Sequence, residues 1–120
     1  MTQAAVSVSL RVAATDAERD AAIREWLQSP RADTPPDRRA ILAEGVLFDR
    51  IGPQGVPLVG LAAGCPCCTG SVALRVILAR TLRTSRAQAV LLLLAGAEHL
   101  PRLRRMLECG EMGVRFEVEA

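Results

Sequence analysis

Apolar and polar residues follow two different periods along this chain, and each period predicts one type of element. Residues 6–13 (VSVSLRVA) alternate with period two, which is typical of a strand with one apolar face. The next segment predicts a helix that begins with a capping box formed by Thr15 and Glu18. The apolar stripe of this helix consists of Ala22, Ile23, Trp26 and Leu27. The pattern therefore predicts a strand followed by an amphipathic helix.

The middle of the chain continues this alternation of elements. After a polar, proline-rich loop over residues 30–39, short apolar runs predict strands at 40–45 (AILAEG) and 56–62 (VPLVGLA). Residues 71–85 predict a helix whose apolar side is formed by Leu74, Ile77, Leu78, Thr81 and Leu82. A further amphipathic helix is predicted at 99–110, with an inner side formed by Leu100, Leu103, Met106 and Leu107.

Two more strands complete the predicted fold. The run AQAVLLLLAG at 87–96 is apolar without alternation, which favours a strand buried on both faces of a parallel sheet. Residues 113–120 alternate again and predict the last strand. The order β-α-β-β-α-β-α-β predicts an α/β fold, a mostly parallel sheet with helices packed on it. For 120 residues we expect a single domain spanning 1–120.

Composition narrows the classes of function. Half of the residues are hydrophobic and 23% are charged, which is typical of a soluble globular protein. A net charge of +2, arginines spread over several predicted helices and 2% aromatic residues give no reason to expect nucleic acid as a partner. The longest apolar run, residues 89–97, is shorter than the ~20 residues that span a bilayer. The N-terminal segment does not resemble a signal peptide, so we expect a cytoplasmic location and no membrane partner.

Three residue types, lysine, asparagine and tyrosine, are absent from the sequence. A phosphate-binding loop of the form GxxxxGK[ST] needs a lysine that reaches the outer phosphates of the nucleotide. Guanine selection in GTPases normally uses an Asn-Lys-x-Asp element, which this chain cannot form either. We therefore expect no bound nucleotide and no nucleotide hydrolysis, and we assign no catalytic residue.

The cysteines carry the strongest chemical signal. Cys65, Cys67 and Cys68 lie within four positions, between a predicted strand and a predicted helix. Closely spaced thiolates repel one another unless a cation neutralises them, and three sulfur ligands suit a soft ion such as Zn²⁺ or Cu⁺. The spacing predicts a metal site with one open position, to be filled by water, by His99 or by a group from a partner. Cys109 lies alone near the end of a helix and is expected to be an inert thiol.

The segment 64–69 (GCPCCT) resembles the Gly-Cys-x-Cys-Cys motif of the CobW-type metallochaperone GTPases. The likeness extends over residues 41–107, because the strand before the cysteines and the helix after them are similar to those of the family. Glu44 and Gly45 are similar to its Asn-Glu-Phe-Gly segment. A later turn is weakly similar through Gly96, Ala97 and Pro101. The resemblance implies a P-loop NTPase-like fold and a zinc ion held by the three cysteines.

The chain also departs from this family. Its first strand leads into LRVAATDAERD without the glycines and the lysine of a P-loop, and the nucleotide-specificity element and C-terminal domain of the family are missing. The resemblance therefore implies a shortened relative that keeps the metal motif but has no functional P-loop. Such a protein would be a metal carrier, sensor or regulator. Its partners would be a client metalloprotein or a full-length relative.

Alternatives to this hypothesis stay open. Cys65 and Cys68 also form a Cys-x-x-Cys pair between a strand and a helix, which is typical of a thioredoxin-like thiol–disulfide oxidoreductase. The third alternative is a purely structural or interaction module with incidental thiols. Three thiolates from each of two chains also allow a homodimer that shares a metal across its two-fold axis.

Overall fold

The structure is a computed structural model that describes residues 5–28, 38–46, 49–61, 71–98, 100–109 and 115–119. These residues build one six-stranded sheet and three α-helices. In chain order the elements are β1 (Val6–Val12), α1 (Asp16–Leu27), β2 (Arg39–Glu44), β3 (Arg50–Ile51), β4 (Pro57–Leu61), α2 (Ser71–Ser85), β5 (Ala89–Leu94), α3 (Leu100–Glu108) and β6 (Phe116–Glu119). A 3₁₀ turn at Pro53–Gly55 joins β3 to β4.

The sheet has the strand order β3-β4-β2-β5-β1-β6. Every neighbouring pair is parallel except β3 with β4, which pair antiparallel. The predicted α/β class with a mostly parallel sheet is therefore confirmed. The short strand β3 was not predicted, because two residues are too few to show a period of two.

Strand β5 lies near the centre of the sheet, between β1 and β2, and all six of its residues are buried. This confirms the prediction of a central strand covered on both faces. Its side chains alternate between two apolar clusters. Val90, Leu92 and Leu94 belong to the first cluster, and the second contains Ala89, Leu91 and Leu93.

The first cluster is covered by α2 and α3, and we call this side of the sheet the α2–α3 face. Helix α2 packs over β2 and β4, whereas α3 packs beside β6. The buried helical side chains are those of the predicted stripes, Leu74 and Leu78 in α2 and Leu103, Met106 and Leu107 in α3. Because two helices contribute buried side chains on this side, the first cluster is the larger of the two.

The opposite side, which we call the α1 face, carries one helix among the described elements. Helix α1 buries Ile23, Trp26 and Leu27 from its predicted stripe. A polar contact supplements them, because Arg39 is 4% exposed and donates from Nη1 to the carbonyl oxygen of Leu27 at 3.3 Å. The same guanidinium lies over the Trp26 ring, 5.5 Å from its centroid.

The start of α1 is also as predicted. Thr15 is the N-cap, and its hydroxyl accepts a hydrogen bond from the backbone N–H of Glu18 at 3.1 Å. The hydroxyl also donates to the Glu18 carboxylate at 3.2 Å, so the side chains of the two predicted capping residues contact each other directly. None of the helices in the described part of the chain is long and apolar enough to cross a lipid bilayer.

Candidate functional site

The carboxyl ends of the parallel strands meet at one edge of the sheet, and this edge is the candidate site. Strand β1 continues into α1 on one face, whereas β5 continues into α3 on the other. The two connections thus leave adjacent strands toward opposite faces, which is the arrangement at which open α/β sheets bind ligands. Backbone bonding joins the two strand ends there, since the N–H of Ala13 donates to the carbonyl oxygen of Leu94 at 2.8 Å.

Glu44 is the central acidic group of this edge. It is the last residue of β2, and the residue is only 9% exposed. One carboxylate oxygen, Oε2, accepts a hydrogen bond from the backbone N–H of Ala95, which follows β5, at 3.3 Å. A carboxylate with so little exposure is retained only where hydrogen bonds replace its hydration. The bond to Ala95 therefore fixes the end of β2 against the end of β5.

The turn after Glu44 brings strand β4 into the same arrangement. Gly45 has a φ of +88°, in the left-handed region that favours glycine. Its N–H donates to the carbonyl oxygen of Leu61, the last residue of β4, at 3.1 Å. From the α1 face, Arg19 donates from Nη1 to the carbonyl oxygen of Glu44 at 3.5 Å and also pairs with Asp16. The ends of β2, β4 and β5 and the first turn of α1 are thus connected through one short segment.

The predicted metal ligands adjoin this edge in the sequence. Strand β4 ends at Leu61 and α2 begins at Ser71, and residues 62–70 connect the two. Cys65, Cys67 and Cys68 belong to this connection and lie outside the described residues, as does His99. Within the described ranges, no three histidine, cysteine or acidic side chains lie close enough to hold a metal ion.

Cys109 lies at the other end of the fold. It directly follows α3, whose nine residues run for roughly 13 Å from the carboxyl edge toward the edge where β6 begins. Its side chain is exposed, and Sγ donates to the carbonyl oxygen of Met106 at 3.0 Å. Cys109 is therefore separated from Leu61 by the length of a helix, and it is not among the groups that gather around Glu44.

The first turn of α1 is at the point where a P-loop would lie, directly after the first strand. Only Ala13, Ala14 and Thr15 separate β1 from α1, and the Thr15 hydroxyl is already bonded to Glu18. Asp16 and Glu18 add two negative charges to this turn. Carboxylates in the first turn interact favourably with the positive end of the helix dipole, but they repel a phosphate group. The local chemistry of the turn is that of a capped helix.

The role of Glu44 in connecting the strand ends is visible only in the three-dimensional structure. The sequence singled it out through ILAEG alone, and no pattern indicated that its carboxylate would bond to the residue after β5. The available signal was a charged residue at the end of an apolar strand, directly before a glycine. Comparison of the chain with models of known families, with curated proteins and with solved structures gives no match.

Proposed function

We propose that this protein binds one zinc ion through Cys65, Cys67 and Cys68 and acts as a carrier, sensor or regulator of that metal. The observation that carries the proposal is the position of the three cysteines in the sequence, between the last residue of β4 and the first residue of α2. This connection begins at the edge of the sheet where parallel α/β folds bind ligands.

Two described features support the proposal. Glu44 adds negative charge to the edge from which the cysteine segment starts, and negative charge attracts a cation. The bond from Gly45 to Leu61 joins the Glu44 turn directly to the last strand residue before that segment. Three thiolate ligands would complete a soft-metal site with an open fourth position, which suits transfer or sensing.

We also infer that the fold is a P-loop NTPase-like sheet without nucleotide binding or hydrolysis. The support for the fold is a strand, β1, that lies inside the sheet and leads directly into a helix. The support for the loss of nucleotide binding is the absence of lysine and asparagine and the two carboxylates in the first turn of α1. The CobW-like motif is then the remaining functional element of this architecture.

Elemental analysis of the purified protein tests the metal site. Protein prepared under reducing conditions should contain about one zinc per chain, and the triple variant Cys65→Ser/Cys67→Ser/Cys68→Ser should contain almost none, because it lacks all sulfur ligands. The matched control is Cys109→Ser, which removes one thiol from the opposite end of the fold and should leave the zinc content unchanged. Cobalt substitution should give thiolate-to-metal absorption in the wild type and in Cys109→Ser, but not in the triple variant.

The same preparations test the redox alternative. Zinc binding should release protons and weaken below neutral pH, because the thiols must ionise before they bind the metal. A metal-free wild type that instead forms a reversible Cys65–Cys68 disulfide near the cellular redox poise would contradict the proposal and favour an oxidoreductase. Loss of metal from Cys109→Ser, with full metal content in Cys67→Ser, would show that the ligand set is wrong.

A further inference from the structure

The two faces of the sheet carry helices of opposite charge. Helices α2 and α3 together contain six arginines and one acidic residue, Glu108. Helix α1 contains four acidic residues and two arginines. Because α2 and α3 pack on the same side of the sheet, arginines that are scattered along the sequence gather on one surface. The small net charge of +2 conceals this separation.

The arginines of this surface point away from the core. Arg80 and Arg83 of α2 are exposed, as are Arg102, Arg104 and Arg105 of α3. We call these five residues the arginine surface. Arg104 forms an exposed ion pair with Glu108 at 3.2 Å. The arginine surface therefore presents several guanidinium groups to solvent.

One exposed apolar side chain lies on the same side of α2 as two of these arginines. Val76 of α2 is 61% exposed, and its spacing of four and seven residues from Arg80 and Arg83 puts all three on the outer side of the helix. An apolar side chain beside arginines is typical of protein interfaces, in which arginine is enriched and an apolar centre has a polar rim. The outer stripe of α2 has this composition.

We propose that the arginine surface, together with Val76, binds a partner protein through a carboxylate-rich helix or surface that also offers an apolar side chain. Guanidinium groups bind carboxylates through two parallel hydrogen bonds, so arginine suits this role better than lysine would. This surface belongs to the described residues and the proposal does not depend on the metal site.

The composition of the surface favours protein over other polyanions. A phosphate backbone offers nothing apolar for Val76 to contact, and the exposed residues of α2 and α3 include no aromatic side chain that could stack on bases. A helix that lies in a membrane interface normally inserts large apolar residues such as tryptophan, phenylalanine and leucine. Among the side chains of α2 and α3 that the structure describes, Val76 is the one large hydrophobic side chain that is exposed, and it is smaller than the residues that such a helix inserts.

A labelled synthetic peptide tests the proposal with the full-length protein. The peptide is a helix with glutamates spaced by four residues on either side of one leucine, and binding is followed by fluorescence anisotropy. We expect binding at low salt that weakens steeply as salt is added. The double variant Arg80→Glu/Arg83→Glu should bind about tenfold more weakly, because it replaces two attractive charges by two repulsive ones.

Matched variants separate the surface from net charge and from folding. Arg24→Glu/Arg50→Glu makes the same charge change at exposed positions outside the surface and should leave peptide binding within about twofold of wild type. Arg102→Glu/Arg105→Glu repeats the test on α3 if the α2 variant folds poorly. Val76→Ser should weaken binding of the peptide about threefold through the loss of apolar contact. A peptide with serine in place of leucine should bind the wild type and Val76→Ser with equal affinity.

Each alternative partner gives a different result. Duplex DNA or phosphatidylserine vesicles that bind more tightly than the peptide, with no effect of Val76→Ser, would overturn the assignment to a protein partner. Equal weakening by the Arg80/Arg83 and Arg24/Arg50 variants would overturn the assignment to this surface. Weak binding of DNA and vesicles, together with sensitivity of the peptide to both Arg80/Arg83 and Val76, would support it.

Discussion

The two faces of the sheet are covered in different ways. On the α2–α3 face, two helices attach through five buried leucine and methionine side chains. On the α1 face, one helix attaches through three buried apolar residues and through arginines. Arg39 reaches the carbonyl oxygen of Leu27, and Arg19 reaches that of Glu44. Arg11 approaches Glu25 at 3.6 Å.

The difference shows that hydrogen bonds and ion pairs of arginine supplement the short apolar stripe of α1. Strand β1 presents polar residues toward α1, because its apolar residues, Val6, Val8 and Leu10, point to the other face. Helix α1 therefore has less apolar surface to bury, and directional contacts with arginine fix its position. We expect the α2–α3 face to be sensitive to lost volume and the α1 face to be sensitive to lost hydrogen bonds.

The largest effect is expected from truncation of β5 on the two-helix side. Leu92→Ala should lower the free energy of unfolding by roughly 4 kcal/mol, because the cavity lies between a rigid sheet and two packed helices. The matched change Leu91→Ala, one residue away but on the α1 face, should cost roughly 3 kcal/mol, since a single helix can move into the space. Urea denaturation measures both values.

Equal losses, or a greater loss for Leu91→Ala, would contradict the expected difference between the faces. Both leucines are at most 1% exposed, so their burial cannot account for a difference in either direction.

The next effect is expected at the arginine that fixes the end of α1. Arg39→Ala should cost about 2 kcal/mol, because it removes a buried hydrogen bond to Leu27 and the contact with the Trp26 ring. Arg39→Lys should recover little of this loss, since an ammonium group lacks the planar shape that makes both contacts. Thermal and urea unfolding followed by tryptophan fluorescence report on this site directly.

Arg24→Ala is the control, because Arg24 is an exposed arginine of the same helix and its removal should change stability by less than about 0.5 kcal/mol. Full recovery of stability in Arg39→Lys would show that charge alone fixes the end of α1.

The smallest effect is expected at the helix cap. Thr15→Ala should cost about 1 kcal/mol, because the backbone N–H of Glu18 loses its acceptor. Thr15→Ser should keep most of the stability. Thr84→Ala in α2 is the matched control: its hydroxyl bonds to the carbonyl oxygen of Arg80 inside a helix, where alanine is the better helix former. If both alanine variants destabilise equally, the contribution of the cap is not specific.

Much of the fold was predictable because its elements are long enough to show a period. The stripe of α1 and the apolar run of β5 each appear in a few consecutive residues, and the structure confirms both. The contact between Arg39 and Trp26 was not predictable, since it depends on where the end of α1 lies relative to β2. The gathering of arginines on one face likewise required knowing that α2 and α3 share a side.

Less of the candidate site than of the fold could be predicted from the sequence. Cysteine spacing alone nominated Cys65, Cys67 and Cys68, and their metal binding stays a prediction because they lie outside the described residues. The environment of Glu44 could not be predicted without the topology. Glu44 and Ala95 are 51 positions apart in the sequence, and they become neighbours only because β2 and β5 pair in the sheet. The local sequence indicates which residues are candidate ligands, but it does not indicate which strand ends meet at the edge of the sheet.

The short strand β3 has a consequence for the behaviour of the sheet between molecules. Leu58 of β4 pairs with Arg50, the carbonyl oxygen of Val56 accepts from Gly52 at 2.7 Å, and the N–H of Gly60 donates to the Asp49 carboxylate at 2.9 Å. These groups on the β3 side of β4 are thus bonded within the chain. A strand from another molecule would have to displace these bonds before it could pair with β4, and the edge that remains beyond them is a strand of only two residues, which offers little for the edge-to-edge pairing that begins aggregation.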